Sequence, residues 1–332
     1  MNGIASYLVF FLIQAMIFAI VCLGLNLQWG YTGLFNIGVS GFFLVGAYAF
    51  IILCGPPYSS HLGGFGLPSA VGLIGAASAA GAIGCLIGVA TLRLREDYLA
   101  IVTIGAASIL QLIALNATSL TGGSQGATSI PRLGQSLIQS VIARDVLMLA
   151  LTVAVVLIIF FALEAIVRSP WGRVLKAIRE DEVAAASLGK NPFAFRLQAF
   201  IIGSGIMGIG GALYASFVGF ISPTDFLPIL TFQVWAMLIV GGSGNNKGAI
   251  LGAVLVWALW TITGSASQAL LPIGMQVKGG AAQIILIGLV LMLTLIFRPR
   301  GLIGEEATVS RDARLPALHA HHVSHPRSRN LR

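Results

Sequence analysis

The chain has 332 residues, of which 57% are hydrophobic and only 9% are charged, and its formal net charge is +8. A soluble domain of this size needs a polar surface that so few charges cannot supply, so a soluble globular protein is excluded. Apolar stretches of about eighteen or more residues recur, each long enough to cross a hydrocarbon core of about 30 Å as a helix. The composition predicts an all-α polytopic membrane protein, and no nucleic-acid partner is expected.

The hydrophobic stretches predict a bundle of eight or nine membrane-spanning helices. We place nine at residues 4–25, 34–54, 67–92, 99–118, 146–167, 197–220, 229–242, 249–263 and 281–297. The seventh and eighth stretches are short, so these two are expected to be re-entrant or broken. No lysine or arginine precedes the first stretch, which favours a retained span over a secretory signal peptide. Cys22, Cys54 and Cys85 lie in apolar stretches and predict free thiols without disulfides.

One strongly polar stretch, residues 168–196, interrupts the apolar sequence and is called the central loop below. It carries nine charged residues, so it must lie in water. The sequence returns to long apolar stretches on both sides of it. From periodicity alone, a docking knob of two short helices and a merely solvated loop between spans are equally supported.

The central loop has the sequence pattern of two short helices. Ser169 and Pro170 predict the start of the first, with serine as N-cap and proline at the first helical position. Acidic residues then open a second helix, and Gly189 is expected to end it in a left-handed conformation. The Asn191-Pro192 pair is expected to prevent the helix from restarting.

Basic residues indicate the orientation of the spans, because cytoplasmic loops hold the excess of lysine and arginine. With nine crossings and the N-terminus outside, 16 of the 19 basic residues are cytoplasmic, in 93–97, the central loop, Lys247 and the tail from Arg298. The other three are Arg132, Arg144 and Lys278. The central loop and the C-terminus are therefore predicted to be cytoplasmic.

The predicted spans lack the groups that self-driven transport or catalysis needs. None of the eleven acidic residues lies in the middle of a span, where ion-coupled transporters usually carry ionisable groups. The G-x-G-x-x-G match at 203–208 lies inside a span with no strand before it, and it is interpreted as helix packing. The glycine-rich stretch 241–248 lacks the spacing of a phosphate-binding loop. ATP hydrolysis and intramembrane catalysis are therefore disfavoured, and no cofactor or catalytic residue is expected.

Residues 304–332 form a basic tail that is distinct from the spans. It contains four histidines, His319, His321, His322 and His325. Its small, polar and basic residues predict a disordered tail whose arginines contact anionic lipid headgroups. Metal binding by the histidines is an alternative that these surroundings do not favour, and no metal site is predicted.

A translocation path needs polar groups that face inward among the spans. The candidates are Asn26, Gln28, Asn36, Ser40, Gln111, Asn116 and Gln233. Intramembrane amides often do no more than hydrogen-bond between helices. The sequence leaves both interpretations open for each side chain.

Several sequence phrases, taken in order, resemble permease subunits of ATP-binding-cassette importers for branched-chain amino acids, of the LivM type. The phrases are RLREDYLAIVT at 93–103, LTGGSQG at 120–126, the stretch 172–189, GFISP at 219–223, GGSG at 241–244 and RPRGL at 298–302. Residues 24–303 carry the resemblance. It implies a transmembrane permease domain at residues 1–303, followed by the tail, in a bacterial plasma membrane.

The resemblance makes the central loop a cytoplasmic coupling loop that docks on an ATPase subunit. The residues implied there are Gly172, Arg173, Ala177, Ile178, Arg179, Glu180, Asp181, Glu182, Ala184, Ala185, Leu188 and Gly189. It also implies a homologous permease partner, two cytoplasmic ATPase subunits and an external substrate-binding protein. Closely similar permeases import urea and short-chain amides, and a stand-alone channel for small neutral solutes is a further alternative.

Overall fold

The computed structural model describes residues 3–56, 63–94, 96–128, 130–132, 140–270 and 279–305. Apart from one isolated bridge between Ala127 and Ile221, the described residues form helices, turns and extended connections. The all-α prediction is confirmed. Arg95, Lys278 and the tail from residue 306, with its four histidines, lie outside the described residues.

The described part of the chain contains twelve α-helices. They are α1 Gly3–Leu25, α2 Val39–Cys54, α3 Ser69–Thr91, α4 Glu96–Asn116, α5 Thr118–Thr121, α6 Val141–Arg168, α7 Pro170–Glu180, α8 Glu182–Ser187, α9 Pro192–Val218, α10 Pro228–Gly241, α11 Asn246–Leu270 and α12 Gly279–Phe297. A π-helical turn, Asn26–Gly30, extends α1. Seven of these helices are long and apolar enough to cross a membrane, and α2 and α10 are shorter apolar helices.

Two predicted spans differ from the structure. The expectation that the eighth span is short is wrong, because α11 has 25 residues and continues through the polar sequence GSASQ that lowered its apparent hydrophobicity. The second span is shorter than expected, since α2 begins at Val39 and has 16 residues. At about 24 Å it falls short of a hydrocarbon core of about 30 Å, and an irregular connection, residues 31–38, precedes it.

Helices α1 and α9 form the centre of the bundle. In the most apolar 18-residue segment of each helix, the buried share is 67% for α1 and 72% for α9, but only 6% for α12. The three cysteines are free, as predicted. Because α12 buries so little of its surface, most of its side chains are left to face lipid or another subunit.

Glycine allows α9 to contact α2 and α3 at backbone distance. A Cβ added to Gly46 of α2 would overlap the backbone of Gly208, and one added to Gly211 would overlap the carbonyl of Phe43. On its other side Gly208 lies against Ala80 of α3. The glycine pattern at 203–208 is therefore a packing surface, as predicted.

The bundle has two distinct ends. The end that carries the central loop is called the loop end, and it also holds the connection from α3 to α4, since Arg93 lies over the ring of Phe193, 5.2 Å from its centroid. At the opposite end, the Ala127–Ile221 bridge joins the connections that follow α5 and α9. Among the described residues, Arg93, the central loop and Lys247 are thus grouped together at the loop end.

Candidate functional site

The central loop begins with a tight turn between α6 and α7. Ser169 occupies the N-cap position of α7, as predicted, although its hydroxyl donates to the carbonyl of Ile166 (2.6 Å) and accepts no capping hydrogen bond from α7. Gly172 lies so close to Val167 that a Cβ would overlap the Val167 carbonyl. This close approach fixes the direction in which α7 leaves the end of α6.

Helix α8 forms the tip of the central loop, and the prediction of a second short helix is confirmed. Asp181 is its N-cap, accepting a hydrogen bond from the backbone N–H of Ala184 (2.9 Å), and Gly189 follows its end with a φ of 76°. The expectation that Asn191-Pro192 blocks a restart is wrong. Asn191 caps α9 and Pro192 is its first residue, a position where the missing N–H costs nothing. The last residues of the central loop therefore belong to α9.

The central loop has one buried face and one exposed face. Leu175 and Ile178 of α7 are buried, as is Ala185 of α8. On the outer face, Val183 is 76% exposed and Leu188 is 81% exposed. Two large apolar side chains at the tip of a charged knob are therefore exposed and available to a partner.

The twelve residues that the resemblance placed in the coupling loop divide between these faces. Arg173, Ala177, Glu180, Asp181, Glu182, Ala184, Leu188 and Gly189 are exposed, Arg179 is half-buried, and Gly172, Ile178 and Ala185 are buried. Gly172 lies against Val167 of α6, and Ile178 and Ala185 are covered by this chain itself. Because these residues are buried, they can hold the loop in its orientation but cannot contact another subunit directly.

Helix α7 is fixed to the bundle by a charged contact at each of two residues. Arg179 pairs with Glu305 (Nη2 to Oε2, 2.7 Å), and its Nη1 donates to the carbonyl of Gly30. Lys176 also pairs with Glu305 (Nζ to Oε1, 3.1 Å) and lies over the ring of Tyr31. The loop is thereby joined both to the end of α1 and to the segment that follows α12.

The tip is braced by a second ion pair. Glu182, the first residue of α8, pairs with Arg196 in the second turn of α9 (2.7 Å between Oε2 and Nη1). The Arg196 side chain is largely buried, so this pair is less screened by solvent than a surface pair. It holds α8 against α9 while the apolar tip remains exposed.

A polar cavity of about 440 Å³ lies between α6, α7 and the turn from α10 to α11. It is lined by Tyr31, Glu164, Val167, Arg168, Arg173, Lys176, Gly244, Asn245, Lys247 and Glu305. The Tyr31 side chain lies in this cavity together with the carboxylates of Glu164 and Glu305.

Three of the candidate path residues, Asn26, Gln28 and Asn36, form a buried polar cluster next to this cavity. Asn26 donates to the side chain of Asn246 in α11 (3.0 Å) and accepts from the backbone N–H of Gly244 (2.8 Å). Gln28 accepts from Asn36 (2.7 Å) and donates to the carbonyl of Phe200 and to a serine hydroxyl in α9. The π-helical turn of α1 is thus bonded to α9 and α11.

Residues 31–38 form a turn and an irregular connection between α1 and α2, and several of their backbone groups are hydrogen-bonded. Side chains of α4 and α10 provide two of the partners: Ile37 N–H donates to Thr103, and Trp235 donates to the carbonyl of Asn36, both at 3.0 Å. Trp235 also packs edge-on against Phe35, with ring centroids 4.9 Å apart. Irregular backbone at membrane depth is tolerated only when it is enclosed by protein or lines a cavity. This break between α1 and α2 is therefore a candidate for the path.

The other four path candidates lie apart from the polar cluster. Ser40 is buried, and its backbone N–H donates to Thr231 of α10 (3.0 Å). Gln233 is buried, and its amide nitrogen finds no hydrogen-bond partner among the described residues. Gln111 is half-buried and donates to the carbonyl of Pro223, whereas Asn116 is exposed and bonds only within its own helix.

Sequence reasoning missed several residues that complete these contacts. They are Glu164, Ser204, Thr231, Trp235, Asn246 and Glu305. Asn246 lies in the glycine-rich stretch 241–248, where an asparagine is typical of an exposed turn and gives no sign that it is buried. Glu164 lies near the end of a predicted span, where an acid gives no sign of its partners, and the structure shows it bonded to Asn246 (3.1 Å) and Arg168 (2.6 Å).

Replacing Gln28 with methionine is expected to lower the thermal stability of the protein in detergent. The substitution preserves side-chain length but removes one acceptor and the Nε2 donor, which leaves the Asn36 amide without its partner. A buried hydrogen-bond loss of this kind costs about 1–2 kcal/mol in a membrane protein. Melting temperature by fluorescence-detected size exclusion is the measurement.

Gln111→Met is the matched control for this prediction, because Gln111 is half-buried and its side chain makes one hydrogen bond. Its melting temperature is expected to lie nearer to that of wild type. Equal shifts for the two variants would contradict the special role of the buried cluster.

Comparison with known proteins identifies the family. The branched-chain amino acid transport system permease component family matches residues 7–295. The high-affinity branched-chain amino acid transport system permease protein LivM of Salmonella typhimurium is 33% identical over 311 residues, covering 87% of this chain and 68% of that protein. The probable LivM of Methanocaldococcus jannaschii is 28% identical over 89% of this chain and 92% of its own length.

A second type of permease is more distantly similar. The LivH protein of Escherichia coli K12 is 25% identical over 246 residues, or 72% of this chain and 79% of that protein. No solved structure matches the chain. The family match covers seven of the nine apolar helices completely, and it includes the central loop and the polar cluster, as well as most of α1 and α12. The chain therefore belongs to the branched-chain amino acid transport system permease family, whose members are transport components rather than enzymes.

Proposed function

We propose that the chain forms the translocation pathway of an ATP-binding-cassette importer for branched-chain amino acids and is driven by separate ATPase subunits. The observation that carries the proposal is the central loop. Its exposed apolar tip offers a contact surface, and its opposite face is fixed to the spans through Leu175, Ile178 and Arg179. A rigid knob of this kind can pass a movement of an ATPase subunit to the helices on either side.

The polar break between α1 and α2 is the part of the pathway that we assign. Residues 31–38 and the cluster of Asn26, Gln28 and Asn36 contact α4, α9, α10 and α11. A shift of α7 pulls directly on Gly30, which ends the π-helical turn that carries this cluster. π-Helical turns are often found at functional sites. In this proposal the cluster changes its hydrogen bonds as the pathway opens and closes.

The assembly contains a second, homologous permease, two ATPase subunits and an external substrate-binding protein. The loop end faces the cytoplasm of a bacterial cell, because it gathers Arg93, the central loop, Lys247 and the segment after α12. The LivM and LivH relatives are both permease proteins of branched-chain amino acid transport systems. Their similarity to this chain supports pairing of two related permeases.

The family match favours branched-chain amino acids over urea or short-chain amides, and it favours an importer over a stand-alone channel. A stand-alone channel has no partner subunit that would bind an exposed apolar tip on a charged loop. The exposed Val183 and Leu188 are explained when that loop docks on another protein.

Reconstitution of the complete importer in liposomes tests the proposal. ATP-dependent uptake of radiolabelled leucine, dependent on the binding protein, is the expected result, and alanine or urea should compete poorly. ATP-independent leucine or urea flux through the chain alone would overturn the importer and support a channel. Uptake of urea in place of leucine by the full complex would overturn the substrate.

A further inference from the structure

We propose that Glu305 is a positioning residue that holds the central loop against the turn between α10 and α11. It thereby sets how efficiently loop movement is converted into transport. This inference rests on the proposed function and assigns a role to a residue that lies ten positions beyond the family match, which ends at residue 295.

Glu305 uses each carboxylate oxygen for a different cation of α7. Oε1 lies 3.1 Å from Lys176, and Oε2 lies 2.7 Å from Arg179. The three side chains are 24–29% exposed, so they are shielded from solvent more than an ordinary surface pair. Isolated surface pairs contribute little to stability. A carboxylate shared by two partly buried cations one helical turn apart instead fixes the position of that helix.

Glu305 can act as a fixed point because the residues before it are anchored to α10. The backbone N–H groups of Leu302 and Ile303 donate to the carbonyls of Val240 and Gly241, both at 2.9 Å. The side chain of Asn245 donates to the carbonyl of Gly304 (3.2 Å). These bonds attach residues 302–304 to the last turn of α10 and to Asn245. The carboxylate of Glu305 therefore moves with the turn from α10 to α11.

Close backbone packing makes this anchor rigid. Gly242, at a φ of 112°, lies where a Cβ would overlap the carbonyl of Ile303. Gly301, at a φ of 71°, lies against Gly242 in the same way. Glycine is the residue that tolerates both positive φ and such an approach. The segment that carries Glu305 therefore has little freedom to move away from α10.

Arg179 connects Glu305 to the end of α1. While one nitrogen pairs with Glu305, the other donates to the carbonyl of Gly30, and the Arg179 side chain covers Gly33. The end of α1, the last turn of α7 and the segment after α12 thus meet at one guanidinium. Loss of Glu305 leaves Arg179 bonded to Gly30 and frees α7 from α10 and α11.

Glu305→Gln in the complete importer tests the proposal, with leucine taken up per ATP hydrolysed as the readout. We expect the ATPase subunits to co-purify as with wild type and ATP to be hydrolysed, while leucine uptake per ATP falls at least about fivefold. Glu305→Asp retains the charge and should restore most of the ratio. Glu306→Gln, the same charge change at the next position, is the matched control and should behave as wild type.

Each alternative outcome decides against the proposal. An unchanged ratio in Glu305→Gln overturns it, as does an equal loss in Glu306→Gln, which assigns the effect to tail charge. Loss of the ATPase subunits from Glu305→Gln places Glu305 in the docking surface instead.

A second measurement keeps the test separate from the proposed function. Hydrogen exchange in the isolated permease should be faster for peptides of α7 in Glu305→Gln than in wild type. Absence of leucine uptake in wild type overturns the proposed function, whereas unchanged exchange overturns the contact on which this inference depends.

Discussion

Replacing both Val183 and Leu188 with serine is expected to release the ATPase subunits from the importer while leaving the permease folded. The two side chains are 76% and 81% exposed and make up the apolar part of the tip. Full burial of one such side chain contributes about 1.5–3 kcal/mol. Loss of both therefore costs about 3 kcal/mol or more, which weakens docking about a hundredfold.

Co-purification of the ATPase subunits with tagged permease measures this effect. The matched control replaces Leu120 and Val218 with serine, since both are exposed apolar side chains at the opposite end of the bundle. The control should retain the ATPase in full. Wild-type retention by the Val183/Leu188 variant would show that docking does not use the tip of the central loop.

Gly46→Leu is expected to prevent accumulation of folded protein. A leucine side chain at this position must lie where the backbone of Gly208 already runs, so α2 and α9 would have to separate. Overpacking typically costs about 1–3 kcal/mol when side chains can yield, and more is expected here because backbone cannot. Separation would also expose the buried faces of both helices around Phe43 and Phe200.

Gly288→Leu is the control for this steric prediction. Gly288 lies in the middle of α12, and an added Cβ would meet nothing within 4 Å. Both variants place leucine at a glycine inside an apolar helix, so they differ only in what surrounds it. Monodisperse protein in membrane extracts is expected for Gly288→Leu and not for Gly46→Leu. Similar yields would mean that α2 and α9 cross less closely than the structure shows.

Local sequence signals were enough to predict most of the helices and the two short helices of the central loop. Ser169-Pro170 and Gly189 act through backbone geometry within one or two turns, so they mark helix ends regardless of the fold. The apolar stretches likewise identify spans without knowledge of their neighbours. The same reasoning placed Asn191-Pro192 wrongly, because asparagine followed by proline also starts a helix at its first position.

The contacts of the candidate site depend on residues far apart in the sequence. Asn26 and Asn246 are 220 positions apart, and Trp235 and Asn36 are 199 apart. An amide in a span gives no sign of its partner, so path lining and helix contact could not be told apart from sequence. The structure shows the helix contacts for Asn26, Gln28 and Asn36, while their role in the pathway stays a prediction.

The orientation of the Arg179 side chain could not be predicted from the sequence for the same reason. Its position one residue after Ile178 and four after Leu175 puts it at the border of the buried face of α7. A charged residue there can turn outward to a partner or inward to a buried acceptor. The deciding factors are the carbonyl of Gly30 and the carboxylate of Glu305, and neither belongs to the loop.

Helix α10 has only 14 residues and measures about 21 Å, less than a hydrocarbon core of about 30 Å. Its last carbonyls, of Val240 and Gly241, are paired with residues that follow α12. A reporter enzyme fused after Gly241 would remove those partners and leave the carbonyls bare near the membrane border. Topology maps built from successive truncations are therefore expected to misplace α10, and reporters inserted into the full-length chain avoid the error.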